Sequence, residues 1–146
     1  MTGAHAVAAA VVFVWLGMVL AISFLEAPLK FRAPGVTLQL GLGIGRLVFR
    51  ALNAVEAALA IALVVALIVD PPAATAVIAA AVAVVMLAAQ LGLVRPALNR
   101  RTRQVLAAPP EQVGSGQRRS RAHYVYVALE VVKVIGLLVA GIALLA

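Results

Sequence analysis

Between Arg46 and Glu56 the chain reads Arg-Leu-Val-Phe-Arg-Ala-Leu-Asn-Ala-Val-Glu, which places two guanidiniums, a carboxamide and a carboxylate in an otherwise apolar run. At about 100° per residue, Arg46, Arg50, Asn53, Ala57 and Ala60 share one helical face, with Glu56 at its edge. A second polar face follows near the far end of the chain, where His123, Tyr126, Glu130 and Lys133 fall within an arc of about 80°. Gln90 is the strongly polar residue inside a third apolar stretch. In a bilayer an ionisable group costs roughly 2.5–3.5 kcal/mol on insertion scales, so such residues are expected to turn inward, toward partners or a wet cavity. The chemistry open to them is ion pairing, binding of a small polar or ionic solute, and proton uptake by one carboxylate. Glu26, where the first apolar run meets its flanking charges, reads either as an interfacial acid, solvated or paired with a lysine, or as a gate at the mouth of the bundle.

Other chemistry is missing its residues. The chain has no cysteine, which excludes disulfides, thiolate metal sites and cysteine nucleophiles. It has no HExxH pattern, no serine set beside a histidine and an acid, and no histidine pair at metal-ligand spacing, so neither catalytic residues nor a metal site are expected. His5 and His123 fall at opposite ends of the expected bundle, too far apart to be two axial ligands of one haem. The run Gly41-Leu-Gly43-Ile-Gly45 has no strand before it and no Lys-Ser/Thr after it, so it is expected to permit a bend or a close helix contact rather than to cradle a phosphate.

The elements that must hold the two polar faces follow from composition. With 146 residues, 65% of them hydrophobic, and a mean hydropathy of +1.13, the chain is too apolar for a soluble domain of its size. Four windows reach the roughly 20 apolar residues of a span: 4–25, 47–69, 73–94 and 124–145. The expected fold is therefore all-α, a single integral-membrane four-helix bundle. The first window lacks the basic flank of a cleaved signal and is expected to remain as a helix. Pro28 and Pro34, with their flanking charges, are expected to end the first span, since proline cannot continue the hydrogen-bond ladder. The proline-, glycine- and arginine-rich connection over about 100–121 is expected to be flexible.

The net charge of +7 sorts by connection. Lys30, Arg32, Arg46 and Arg50 lie in or beside the first, and Arg95, Arg100, Arg101, Arg103, Arg118, Arg119 and Arg121 in or beside the third. The second connection, Asp70-Pro71-Pro72, has no basic residue. The positive-inside rule then puts the first and third connections in the cytoplasm and both termini outside, in a bacterial inner membrane. The excess charge is read as topology and attraction to anionic lipid, with no nucleic-acid partner, since no aromatics interleave the arginines. By helical rise, Glu56 lies about 15 Å past Arg46, while Glu130 and Lys133 lie about 13 and 18 Å past Arg121, so the three charges could meet at mid-membrane.

Two resemblances attach to these residues. Trp15-Leu-Gly17, the segment Ala27-Pro28-Leu-Lys-Phe31-Arg, the Arg95-Pro96-Ala-Leu-Asn99 run and His123 resemble the small four-helix membrane family that includes transmembrane protein 205 and its bacterial relatives. That resemblance implies a four-helix membrane fold and a loose link to export or stress resistance; Glu130 stands where the family is expected to carry asparagine, and Lys133 is a further departure. Over a shorter stretch, Asn53-Ala-Val-Glu56 preceded by arginine is similar to the second-helix motif of the membrane-associated eicosanoid and glutathione enzymes. It would imply a trimer with glutathione held by Arg50, Asn53 and Glu56, although Arg50 is one residue closer to Asn53 than expected and the proline after the glutamate is absent. The expected function is binding or transport, as export, of a small polar or ionic solute in a charge-paired intramembrane cavity, without a cofactor. The alternatives are a glutathione or lipid transferase, or an accessory subunit of a larger membrane complex; a homo-oligomer is compatible with each.

Overall fold

The computed structural model describes residues 2–107 and 121–146. Among them the chain forms four long helices and no strand: α1, Gly3–Arg32, α2, Leu38–Val69, and α3, Ala74–Ala107, with α4, Arg121–Leu145. All four are long and apolar enough to cross a membrane. Of the flexible connection expected at 100–121, residues up to Ala107 belong to α3, and 108–120 lie outside the described residues.

Local chemistry sets the helix ends. Thr2 caps α1, its hydroxyl accepting from the His5 N–H at 3.2 Å, and Thr37 caps α2 by accepting from Leu40 N–H at 3.1 Å. Each satisfies a donor that the first turn cannot pair internally. At the far end of α2, Asp70 turns extended (φ −143°), the conformation that a following proline favours. Gly35 takes φ +81°, a left-handed geometry that only glycine adopts at no steric cost, and the chain reverses there from α1 into α2.

Of the two prolines expected to end the first span, Pro34 lies just past the end of α1 at Arg32, but Pro28 does not end it. The first and third helices run straight through Pro28 and Pro96, because each is preceded by a widened π-helical segment, Leu20–Glu26 in α1 and Gln90–Val94 in α3. A proline in a regular helix lacks one N–H, and its ring strikes the carbonyl four residues back. Here the residue before each proline bonds five residues back instead: Ala27 N–H to Ile22 carbonyl, and Arg95 N–H to Gln90 carbonyl. One extra residue in the turn makes room for the ring, and the helix continues. The second helix likewise starts earlier than expected, at Leu38, and takes the glycine run into its first turns. Gly41 and Gly45 let Phe31 and Lys30 lie against them, since a Cβ at either position would fall within 3 Å of those side chains.

Helix α1 packs on α2 and α4, α4 packs on α3, and α3 returns to α2 chiefly through its 95–107 segment. The core is small-residue packing around a few large side chains: Ala76, Ala79, Ala80 and Ala83 of α3 face Leu137 and Ala140 of α4, with Val12 and Trp15 of α1 and Leu63 of α2 beside them. Without large side chains between them the backbones approach closely; a Cβ at Gly136 would lie 3.0 Å from the Ala79 carbonyl oxygen. At one end of the bundle Thr2 donates to Asp70 and His5 Nδ1 lies 3.3 Å from Asp70 Oδ2. At that end His5, Pro72, Ala73 and residues 143–146 line a hollow of about 330 Å³. The start of α1, the α2–α3 connection and the end of α4 therefore share one end, and the α1–α2 connection lies at the other.

Candidate functional site

Four helices bring their polar groups to one level. Counting 1.5 Å per residue from the Asp70 end, Trp15, Glu56, Gln90 and Lys133 lie about 18, 20, 24 and 18 Å into their helices. They form a buried layer: Trp15, Glu56, Gln90 and Lys133 are 0% exposed, Glu130 1% and Asn53 7%.

Lys133 is the hub. Its ammonium donates to Glu56 Oε1 at 2.5 Å and to Gln90 Oε1 at 2.8 Å, and lies 2.5 Å from Glu130 Oε1, one turn back on its own helix. Glu56 Oε1 also accepts from the Trp15 indole N–H at 2.9 Å. Glu130 accepts through Oε2 from the Ser23 hydroxyl at 3.0 Å. Gln90 uses its amide to donate to the Tyr126 carbonyl at 3.3 Å. Both π-helical segments thus deliver a side chain to this layer, Ser23 from α1 and Gln90 from α3. A widened turn rotates the residues it contains relative to the rest of the helix, which frees these two from the apolar register on either side.

The layer is short of donors. Two carboxylates face one ammonium, and Glu56 Oε2 and Asn53 Oδ1 are buried without a hydrogen-bond partner. The Tyr126 hydroxyl is buried beside Glu130 without a well-formed hydrogen bond to it. Toward the basic end, two cations lie over the Phe49 ring: Arg95 is 5.0 Å from its centroid and Lys30 5.7 Å. Arg95 also covers the Tyr126 ring at 5.6 Å, and Phe49 meets that ring edge-on at 6.1 Å. A cation over an aromatic face keeps roughly 0.5–2 kcal/mol of attraction while it reaches the acids only through space. Lys30 in turn pairs with Glu26 at 3.8 Å.

Of the residues singled out in sequence, Glu56, Gln90, Glu130 and Lys133 are drawn into one network, and Asn53 and Tyr126 are buried against it. Arg46 and Arg50 are not part of it. Both are exposed, because the buried face of α2 runs through Gly45, Leu52, Asn53, Glu56, Ala60 and Leu63 and leaves the arginines to the side. Arg50, Asn53 and Glu56 accordingly do not share a face. Lys133 is the cation that meets both acids, and its ammonium also donates to Gln90. His123 is half-buried, about 10 Å nearer the basic end of α4 than Glu130, with its ring edge-on to Tyr124 at 5.9 Å. Glu26 is half-buried and takes the lysine-paired position.

Three contributors escaped the sequence reading: Trp15, Ser23 and Arg95. Trp15 offered a signal, being the one tryptophan in the chain and carrying an N–H that seeks an acceptor when buried. Arg95 was legible only as a basic flank, and Ser23 only as a lone hydroxyl. The chain matches no protein-family model, no curated protein and no solved structure.

Proposed function

We propose that this chain is an integral membrane protein of a bacterial inner membrane, its basic end cytoplasmic and both termini outside, in which the Glu56–Lys133–Glu130 layer handles a small polar or ionic solute. One of the two carboxylates exchanges a proton as the solute is bound and moved, most simply in export. One observation carries this reading: two buried carboxylates share a single ammonium while Glu56 Oε2 and Asn53 Oδ1 have no partner. A layer serving only as glue would gain little from such a set, because interhelical polar contacts contribute about 0.6–2 kcal/mol each and a buried ion pair barely offsets its desolvation. An acid lacking donors is, by contrast, a place where a proton stabilises the layer.

Infrared titration of the purified protein in lipid tests the proposal. A carboxylic-acid band that appears and disappears reversibly with pH, and that is missing from Glu56→Gln or from Glu130→Gln, is the expected result. If both variants keep the full band change of the parent, the layer holds no exchangeable proton and the reading fails.

A further inference from the structure

The position that Lys133 fills is itself a cation site. Its Nζ has Glu56 Oε1 at 2.5 Å, Glu130 Oε1 at 2.5 Å and Gln90 Oε1 at 2.8 Å, three oxygens converging on one positive centre. Carboxylate and carbonyl oxygens are the donors that hard cations select. More oxygen is at hand than the ammonium uses: Glu56 Oε2 has no partner, and Asn53 Oδ1, one helical turn away on the same buried face, has none either. Asn53 is itself buried, with 7% exposure.

Charge selects the valence. Two carboxylates against one ammonium leave a single negative charge, and no group of three or more His, Asp or Glu side chains able to hold a metal ion exists among the described residues. A divalent ion would overcharge the layer; a monovalent one neutralises it. From the other helices the layer is faced by neutral donors, Trp15 and Ser23 of α1, by the Tyr126 hydroxyl of α4, and by Arg95 of α3, which is committed to the Phe49 and Tyr126 rings.

Resting on the reading above, we propose that Glu56, Asn53 and Glu130 form a binding site for a monovalent cation of the sodium class, which joins the Lys133 ammonium in the layer and takes the one negative charge that it leaves unbalanced. The same negative charge then answers to a sodium ion or to a proton, and the two compete.

The chain carries its own reporter, because its single tryptophan donates directly to Glu56. The full-length protein in lipid nanodiscs is titrated with sodium chloride against choline chloride at constant ionic strength, following Trp15 emission. A saturable sodium response that choline does not produce is expected. For one-for-one competition its half-saturation rises about tenfold for each pH unit lowered where the proton competes. Glu56→Gln and Asn53→Ala should each weaken the response roughly tenfold or more, the loss of one charged contact or ligand. Lys133→Gln should strengthen it by a similar factor, and sodium should raise the thermal stability of that variant more than that of the parent. A flat sodium titration of the parent overturns the proposal, as does a response that choline reproduces or that survives unchanged in both Glu56→Gln and Asn53→Ala. If Glu56→Gln does not fold, Asn53→Ala decides alone. Emission that ignores sodium removes the cation site, and the infrared titration then decides the proton reading by itself.

Discussion

Lys133 touches two acids and an amide at once, so deleting it is a different experiment from deleting the whole set. Lys133→Met strands two buried carboxylates and should destabilise the protein by about 3–5 kcal/mol, the usual result of breaking a buried pair from one side. Replacing Glu56, Glu130 and Lys133 together by apolar residues of similar volume should be close to neutral, or stabilising by up to about 4 kcal/mol. Unfolding in detergent compares them, and a triple variant as fragile as Lys133→Met would mean that the charges are structural. At this scale the three charges were legible from their polarity and from the helical rise that set them at one depth. Arg46 and Arg50 were not placed correctly, for a physical reason. A long guanidinium side chain near a helix end can reach water from almost any face, so its position on a helical wheel does not force it inward.

The two proline-associated π segments are the devices by which α1 and α3 serve the layer. Each sits directly before a proline, and each holds one residue, Ser23 or Gln90, on a buried acid or on its lysine. Proline in a helix interior ordinarily costs about 3 kcal/mol relative to alanine, so its replacement should stabilise an isolated helix. Here the opposite outcome is expected for Pro96→Ala. Restoring the four-residue ladder removes the extra residue from the turn and rotates one half of α3 against the other by about 100°, which takes Gln90 off Lys133 or Arg95 off Phe49. Thermal unfolding should show a lower midpoint than the parent; a gain of the ordinary size would show that the widened turn contributes nothing to the layer. This feature was hidden in sequence because proline reports only that a regular helix is disfavoured. Whether the chain stops or widens depends on what the neighbouring helices offer to pack against.

On the scale of the molecule, the outer surface is apolar where the layer is polar: Leu47, Ile68, Val69 and Leu93 are each more than 70% exposed, a surface suited to lipid. The bundle has one end marked by Thr2, His5 and Asp70 and another marked by Lys30, Arg32, Arg46, Arg50 and Arg100. Orientation is directly measurable, because the chain has no cysteine of its own. A cysteine at Ala33, exposed between α1 and α2, should react with a membrane-impermeant maleimide only after the cells are opened, and one at Ala73, exposed between α2 and α3, should react on intact cells. The reverse pattern would place the basic end outside, against the positive-inside rule.

Length, hydropathy and the order of apolar windows determined from sequence alone that four helices alternate along the chain, since every backbone polar group in such a segment must be satisfied within its own helix. Charge sorting by connection and the intrusion of Glu56, Glu130 and Lys133 into apolar runs were equally local facts. Which acid meets which base, and through which helix, was decided only by the tertiary structure. The angular position of a residue at the layer depends on the total turn accumulated along its helix, and one extra residue in a widened turn shifts that position by about 100°. Packing of Gly136 against Ala79 and of Gly41 against Phe31 then selects the depth at which the helices lie together. A composition can require that buried charges find partners; only the assembled bundle assigns both carboxylates to Lys133 and leaves Asn53 Oδ1 and Glu56 Oε2 without any.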